Sequence, residues 1–296
     1  MSTPVDAVDA PRPTPPDHPF AHVLVAVDLT PAGLRLLHHL DSLRSLGARR
    51  LTRVYVTGPA VEEQSRKELE GYAGMARSQG FQVEVATPLG LPAEGILETA
   101  SELDCTAILL GTRSHSAVRH AFLGNVALEV MEKSRLPVLL QPLPVHDEAA
   151  PARGGEIRSL LLATDFSDAA APAAALAERL ALKRGFPVDL VHALEGGTGE
   201  ERKEEASLRL EGLARHFRDA GVAEVETYMP VGHPLERIPA VADRFPGALV
   251  VMGTRGRGFL GGLLLGSVSR GLAAGSRIPL LLVPVRAADA GGTGDA

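Results

Sequence analysis

The chain has 296 residues, 45% of them hydrophobic, which is enough for two ordinary domains with full apolar cores. Its formal net charge of -6 argues against a nucleic-acid-binding protein, since such proteins gather a basic surplus on one face. The single cysteine, Cys105, excludes an intramolecular disulfide framework and cannot by itself form a cysteine-rich zinc site.

The first residues of the chain, 1–19, are rich in proline and lack the basic and apolar regions of a signal peptide, so we predict a disordered segment. No apolar stretch approaches the roughly 18 to 20 residues that span a bilayer. We therefore expect a cytoplasmic protein without membrane insertion. Cys105 lies beside an apolar run, which favours a small buried side chain over a reactive thiol. The small and polar residues 288–296 predict a flexible tail.

The rest of the chain repeats one order of elements, which indicates a duplicated domain. In each half an apolar run ends in an aspartate, Asp28 or Asp165, and a Gly-Thr-Arg sequence follows later, at 111–113 or 253–255. Between the halves, prolines, adjacent glycines and charges are typical of a connector. We therefore predict two α/β domains, at 20–145 and 157–287, joined by a linker at 146–156.

In the second half, short β-rich runs alternate with helical patterns, and this alternation predicts a parallel sheet. The runs are Leu160–Ala163, Val188–Leu194, Val222–Val231, Ala248–Met252 and Pro279–Val285. Between the second and third runs, the spacing of Ala206, Leu210, Leu213 and Phe217 predicts an amphipathic helix that packs on the sheet. Ser167 predicts a hydroxyl cap for the helix that follows the first run.

The most specific motif is the segment Gly253-Thr254-Arg255-Gly256, which nine residues separate from Gly266-Ser267 and a helical pattern. Glycines allow the backbone to approach an oxygen-rich ligand, and the free N–H groups at the start of a helix bind anions. Ser267 can cap that helix and donate to a phosphate oxygen, while Arg255 and Arg257 add positive charge. The motif predicts a phosphate site; a glycine-rich surface loop is the alternative.

The glycine spacing occurs together with Ala163-Thr164-Asp165-Phe166-Ser167 and with Leu190-Val191-His192-Ala193. These three segments together resemble the nucleotide-binding signature of the universal stress protein family (the UspA family), in its ATP-binding type. The resemblance implies an α/β fold of two tandem Rossmann-like domains of the HUP type. Each domain would be an open parallel sheet of five strands in the order 3-2-1-4-5, with helices on both faces.

The same resemblance implies that the second half binds an adenine nucleotide, either ATP, ADP or AMP. The aspartate after the first strand would contact the adenine and ribose, and the glycine segment would hold the phosphates. Both lie where ligands of open parallel sheets bind, although Asp165 could instead only start a helix. Mg²⁺ would bind through the phosphates, without any protein ligand to the metal. The predicted nucleotide-binding residues are Ala163, Thr164, Asp165, Phe166, Ser167, Ala193, Met252, Gly253, Arg255, Gly256, Gly266, Ser267, Val268 and Ser269.

The first half resembles the family more weakly. Its glycine segment reads Gly111-Thr112-Arg113-Ser114, and nine residues separate it from Gly124-Asn125. Ser114 adds a side chain where Gly256 has none, and Asn125 replaces a hydroxyl. Two interpretations stay open, a weaker or modified nucleotide site and a structural partner domain. The residues of such a degenerate site are Val27, Asp28, Gly111, Arg113, Ser114, Gly124 and Asn125.

Three functions are compatible with these motifs. The first is a nucleotide-binding stress-response regulator whose bound state modulates assembly or the binding of an unidentified protein partner. The alternatives are a slow ATPase or nucleotidyl-transfer enzyme, and a ligand-free dimerising scaffold. Because Gly253–Ser269 contains no Asp or Glu to hold magnesium or act as a base, we predict no catalytic residues and at most weak ATPase activity.

The last β-rich runs of the two halves, Val138–Leu143 and Leu280–Val285, are apolar candidates for edge strands. Exposed apolar edges are usually covered by pairing. We expect the two runs to pair within the chain, and the resemblance implies a homodimer through the same terminal edges.

Overall fold

The structure, a computed structural model, describes residues 18–28, 36–56, 63–114, 124–144, 155–256, 265–275 and 277–285. The strands are β1 (His22–Ala26), β2 (Arg50–Val54), β3 (Gln82–Ala86), β4 (Ala107–Ser114), β5 (Val138–Pro144), β6 (Ser159–Ala163), β7 (Val188–Val191), β8 (Val225–Tyr228), β9 (Ala248–Gly253) and β10 (Leu280–Val283). The α-helices are α1 (Leu40–Ser45), α2 (Glu63–Ser78), α3 (Pro92–Glu102), α4 (Asn125–Lys133), α5 (Ala171–Arg184), α6 (Glu200–Asp219), α7 (Pro234–Ala242) and α8 (Ser267–Gly275). Short 3-10 helices at Leu36–His39 and Asp168–Ala170 precede α1 and α5.

The strands form one sheet in the order β3-β2-β1-β4-β5-β10-β9-β6-β7-β8. Within each half the strands are parallel and follow the order 3-2-1-4-5, so the predicted topology of each half is confirmed. The halves are not two separate sheets, however, because β5 and β10 pair antiparallel, with Leu281 opposite Leu139. This pairing satisfies backbone groups that an apolar edge strand would otherwise leave unpaired.

The terminal strands therefore pair within the chain, as predicted. Each of them also has a parallel neighbour on its other side, β4 for β5 and β9 for β10. Both edges of β5 and of β10 are occupied, so these strands cannot also form the predicted homodimer contact. A homodimer would have to use another surface.

The apolar core consists of two layers, one on each face of the sheet. Successive residues of a strand point to opposite faces, and Leu160 and Leu162 lie in one layer while Leu161 lies in the other. Helices α5 and α6 cover the first layer in the second half, and α7 and α8 cover the second. Because both faces are covered, β6, β9 and β10 are buried throughout and their sequences are continuous apolar runs.

The predicted amphipathic helix is α6, on which Ala206, Leu210 and Phe217 are buried and Leu213 packs against the core. Three predicted strands are shorter than their runs: β7 ends at Val191, β8 covers only Val225–Tyr228 and β10 covers only Leu280–Val283. Beyond the ends of β7 and β8 a single bridge, between Leu194 and Val231, continues the pairing.

Cys105 is buried, as predicted, and burial raises the pKa of its thiol to about 11. The thiol is therefore protonated at neutral pH and a poor nucleophile. None of the helices within the described ranges combines the length and the apolar character that a bilayer crossing requires. The predicted disordered segment 1–19, the linker 146–156 and the tail 288–296 lie largely or wholly outside the described residues.

Asp189, on β7, is a carboxylate that is only 7% exposed and lies opposite Glu226 in the register of β7 and β8. Burial, and then the charge of Glu226, raise the pKa of Asp189 from 3.8 to about 6. The folded chain thus keeps a proton on Asp189 at pH values where the unfolded chain has released it. This group's contribution to stability is full below pH 3.8 and is lost as the pH rises through 6.

We expect Asp189→Asn to increase the free energy of unfolding at pH 7 by about 2 kcal/mol, because the amide never ionises. Below pH 4 the variant and the wild type should differ by roughly 1 kcal/mol or less. Urea unfolding at several pH values measures the difference. Glu226→Gln removes only the exposed neighbouring charge and should give a smaller increase. Parallel pH profiles for the wild type and Asp189→Asn would contradict the prediction.

Candidate functional site

A cleft of about 810 Å³ lies at the carboxyl ends of β6, β7 and β9. It collects all of the predicted nucleotide-binding residues except Ser167. Those residues are Ala163, Thr164, Asp165, Phe166, Ala193, Met252, Gly253, Arg255, Gly256, Gly266, Ser267, Val268 and Ser269. In parallel sheets the carboxyl ends of the strands form the usual ligand site where the strand order reverses, here between β6 and β9.

The turn after β6 presents Asp165 to this cleft. The Asp165 Oδ1 atom accepts hydrogen bonds from the Ser167 backbone N–H at 3.1 Å and from the Ser167 hydroxyl at 2.6 Å. The Ser167 hydroxyl therefore orients a carboxylate, and our prediction that it caps the following helix is wrong: Ser167 precedes the 3-10 helix but makes no side-chain cap. The hydroxyl donates its proton to the carboxylate, and its oxygen accepts no hydrogen bond from the N–H groups of the helix.

The glycine segment meets this turn directly. Strand β9 ends at Gly253, and the chain then leaves the sheet. A Cβ atom added to Gly256 would collide with the Asp165 Oδ2 atom, and one added to Gly253 would lie 2.9 Å from the Ala169 carbonyl oxygen. Only residues without side chains allow these close approaches, so the two glycines are explained by packing inside the protein.

Helix α8 begins next to the glycine segment. The Gly266 N–H donates to the Thr254 carbonyl at 2.8 Å, and the Gly266 carbonyl accepts the first helical hydrogen bond, from the Arg270 N–H at 2.9 Å. Gly266 is therefore the N-cap residue and Ser267 is the first helical residue, which corrects the predicted capping role of Ser267. The Ser269 hydroxyl donates to the Gly253 carbonyl at 2.9 Å, which ties the helix to the end of β9.

Sequence reasoning missed the contribution of α6. We interpret the charged run 200–205 as the solvated face of a helix; Arg202 and Glu205 are exposed as this predicts, but both also line the cleft, and so does Arg209. Glu205 and Arg209 form an ion pair at 3.0 Å. No local signal separates these residues from the exposed charges beside them, since the cleft wall exists only after α6 packs on the sheet. Arg257 lies outside the described residues.

In the part of the chain that the structure describes, no group of three or more His, Cys, Asp or Glu side chains is arranged to hold a metal ion.

The first half differs from the second in its strand, not in its helix. The Leu128 N–H donates to the Gly124 carbonyl at 3.0 Å, so α4 begins after Gly124, at Asn125, as α8 begins after Gly266. Strand β4, however, continues through Arg113 to Ser114 and pairs with β5 over its whole end. A Cβ atom on Gly111 would lie 2.5 Å from Leu143.

Residues 111–114, which correspond to Gly253–Gly256 of the second half, are therefore part of the sheet in the first half. At the carboxyl end of β1, the Val27 N–H donates to the Val54 carbonyl at 3.0 Å, and Asp28 follows as an exposed residue. The first half therefore has the aspartate and the helix start, but its glycine segment is paired in the sheet, whereas in the second half the chain leaves the sheet there.

Comparisons with known proteins agree with this architecture. The sequence model of the Universal stress protein family matches the chain twice, at residues 19–142 and 156–284. A universal stress protein of Mycobacterium tuberculosis (strain ATCC 25618 / H37Rv) is 28% identical over 203 residues, which is 64% of this chain. The match spans 65% of that relative's length.

A universal stress protein of Thermus aquaticus is 39% identical over 134 residues, covering 43% of this chain and 98% of that relative. The crystal structure of a universal stress protein from Archaeoglobus fulgidus DSM 4304 has the same fold, with a TM-score of 0.71 at 22% identity. That match covers 90% of this chain and 98% of the other. Because the family model matches most of both halves, the chain belongs to the universal stress protein family and carries two of its domains in tandem.

Proposed function

We propose that the second half of the chain binds an adenine nucleotide, with ATP as the principal ligand, and that the bound state modulates assembly or partner binding. The observation that carries the proposal is the junction of three elements in one cleft: the Asp165 turn, the glycine segment and the start of α8. The cleft volume of about 810 Å³ falls within the range of small-molecule sites.

The start of α8 supports the phosphate end of the proposed site. Since Arg270 donates the first helical hydrogen bond, the N–H groups of Ser267, Val268 and Ser269 have no partner within the helix. These N–H groups and the positive end of the helix dipole favour an anion. Arg255 adds positive charge to the same cleft, and the segment Gly253–Ser269 itself contains no acidic residue.

Other residues of the cleft support the nucleoside. Ala163, Ala193 and Met252 give it an apolar wall, and Asp165, beside Gly256, contributes a carboxylate that can accept hydrogen bonds from ribose hydroxyls. Mg²⁺ would be held through the phosphates. Since the glycine segment carries no carboxylate for a metal or a general base, we propose a ligand switch rather than an efficient hydrolase.

Helix α8 also supplies a route from the nucleotide to the rest of the protein. It packs against β4 of the first half, and the Arg270 guanidinium lies 2.7 Å from Glu132 on α4. Binding that shifts the start of α8 would therefore change its contact with the first half. We propose that the first half responds to the nucleotide without binding one itself.

Calorimetric titration of ATP into the purified chain tests the proposal. We expect one site per chain, because the first half holds its glycine segment in the sheet. Titrations with ADP and AMP rank the nucleotides, and the nucleotide carried over from purification is identified after denaturation. Two sites per chain would overturn the proposal that only the second half binds the nucleotide. No binding, in folded protein free of nucleotide, would leave the ligand-free scaffold as the better explanation.

A further inference from the structure

The turn after β6 contains a strained residue. Phe166 has φ 59°, in the left-handed region that residues with a side chain rarely adopt. Within the turn, the Phe166 N–H donates to the Thr164 hydroxyl oxygen at 3.0 Å, and Asp165 accepts two hydrogen bonds from Ser167. Such a conformation persists only where the surroundings hold it in place.

One contact that holds this turn from outside comes from His192, the residue after β7. Its Nδ1 atom lies 2.8 Å from the Thr164 carbonyl oxygen. A carbonyl oxygen can only accept, so Nδ1 carries the hydrogen and donates. The imidazole ring also lies against the Phe166 ring, with 4.6 Å between the centroids. One side chain thus contacts both the carbonyl before Asp165 and the ring after it.

The backbone around His192 is itself fixed by the sheet. The His192 N–H donates to the Tyr228 carbonyl at 3.0 Å, and the Thr164 N–H donates to the Val191 carbonyl at 3.0 Å. The imidazole therefore links the turn to the ends of two neighbouring strands. The position of the Asp165 carboxylate over Gly256 depends on this turn, since a small rotation would move the carboxylate off the glycine.

We propose that His192 is a positioning residue of the nucleotide site, which acts through the Thr164 carbonyl and Phe166 to hold Asp165 in its place beside Gly256. The inference rests on the proposed function. His192 itself lines the cleft, but the role that we assign to it acts through the turn and requires no contact with the nucleotide. It explains why a histidine, with a hydrogen-bond donor close to Cβ, is suited to this position.

Two substitutions separate the donor from the ring. In His192→Asn the amide nitrogen falls near the position of Nδ1 and can donate to Thr164, whereas His192→Phe keeps a ring against Phe166 and has no donor. We expect His192→Phe to weaken ATP binding by about 10-fold, the effect of losing one partly buried hydrogen bond, and His192→Asn to stay within about 3-fold of the wild type. If His192→Phe fails to fold, His192→Gln takes its place in the titration. Its amide nitrogen extends beyond the position of Nδ1 and cannot donate to the Thr164 carbonyl, so we expect the same loss of about 10-fold.

A double-mutant cycle with Asp165→Ala tests whether His192 acts through Asp165. If it does, adding His192→Phe to Asp165→Ala should weaken ATP binding by no more than about 2-fold further, because the positioned group is already absent. If the loss of affinity in the double variant equals the product of the two single losses, His192 acts independently of Asp165, and the inference is overturned. Wild-type affinity in folded His192→Phe, or loss of binding in His192→Asn, would also overturn it. If the wild type does not bind ATP, the proposed function fails and this inference fails with it.

Discussion

Gly266→Asp should abolish ATP binding, with a loss of affinity of about 100-fold or more. The new carboxylate would lie at the start of α8, where the phosphates are proposed to bind, and would repel them at short range. The fold should survive, because Gly266 is the N-cap residue and aspartate is among the best N-cap residues. Its Cβ would lie 3.3 Å from the Thr254 carbonyl oxygen, which requires a shift of only a few tenths of an ångström. Calorimetric titration of ATP measures the loss.

Gly124→Asp is the matched control, since Gly124 is the N-cap residue of α4 and a Cβ there meets nothing within 4 Å. It makes the same chemical change at the same place in the other domain. We expect it to leave both the affinity for ATP and the stoichiometry unchanged. If Gly124→Asp weakened binding as much as Gly266→Asp does, the proposed site in the second half would be wrong.

Gly256→Ser should weaken ATP binding by about 10-fold or more, because it installs the residue that the first half has at Ser114. The Cβ atom would collide with the Asp165 Oδ2 atom, whereas the backbone of Gly256 is not in the left-handed region and tolerates a side chain. Relief of the collision requires rotation of a carboxylate that two hydrogen bonds from Ser167 hold, at a cost of about 1 to 3 kcal/mol. Gly256→Ala should give a similar loss, since the Cβ alone causes the collision.

The reciprocal change, Ser114→Gly, is the control for this prediction. It restores the glycine of the motif in the first half but leaves β4 paired with β5 up to residue 114. We therefore expect no second ATP site to appear in the titration. A second site in Ser114→Gly would mean that the side chain of Ser114, and not the strand pairing, prevents binding in the first half. Unchanged affinity in Gly256→Ser would show that the contact between Asp165 and Gly256 has no importance for the ligand.

Much of the fold could be predicted because its signals are local or repeated. Apolar runs such as Leu160–Ala163 are continuous since helices cover both faces of a parallel sheet, and a period of three to four residues marks the buried face of α6. The strand order came from the resemblance to a family, not from the residues themselves. The joining of the two halves into one sheet was only partly foreseen, because pairing between β5 and β10 depends on residues far apart in the chain.

The candidate site, too, could be predicted only where its signals are local. Glycine spacing and the aspartate after the first strand are visible in the sequence, and those residues line one cleft. The roles of the hydroxyl groups were not predictable, because the geometry of the folded turn decides whether the Ser167 oxygen lies within reach of a helix N–H and where its proton is donated. Arg202 and Glu205 on α6 look like any other charged residues of an exposed helix until the sheet is placed beside them.

By itself, the sequence determined that the chain is a duplicated α/β protein with one complete and one altered glycine motif. Only the tertiary structure decided which conformation each motif adopts. The tripeptide Gly-Thr-Arg occurs at 111–113 and at 253–255, and in the first half it lies within β4 while in the second the chain leaves the sheet after Gly253. The difference arises because β5 continues alongside β4 to Pro144 whereas β10 ends at Val283. Strand pairing is made with residues distant in sequence, so identical local segments can adopt different structures.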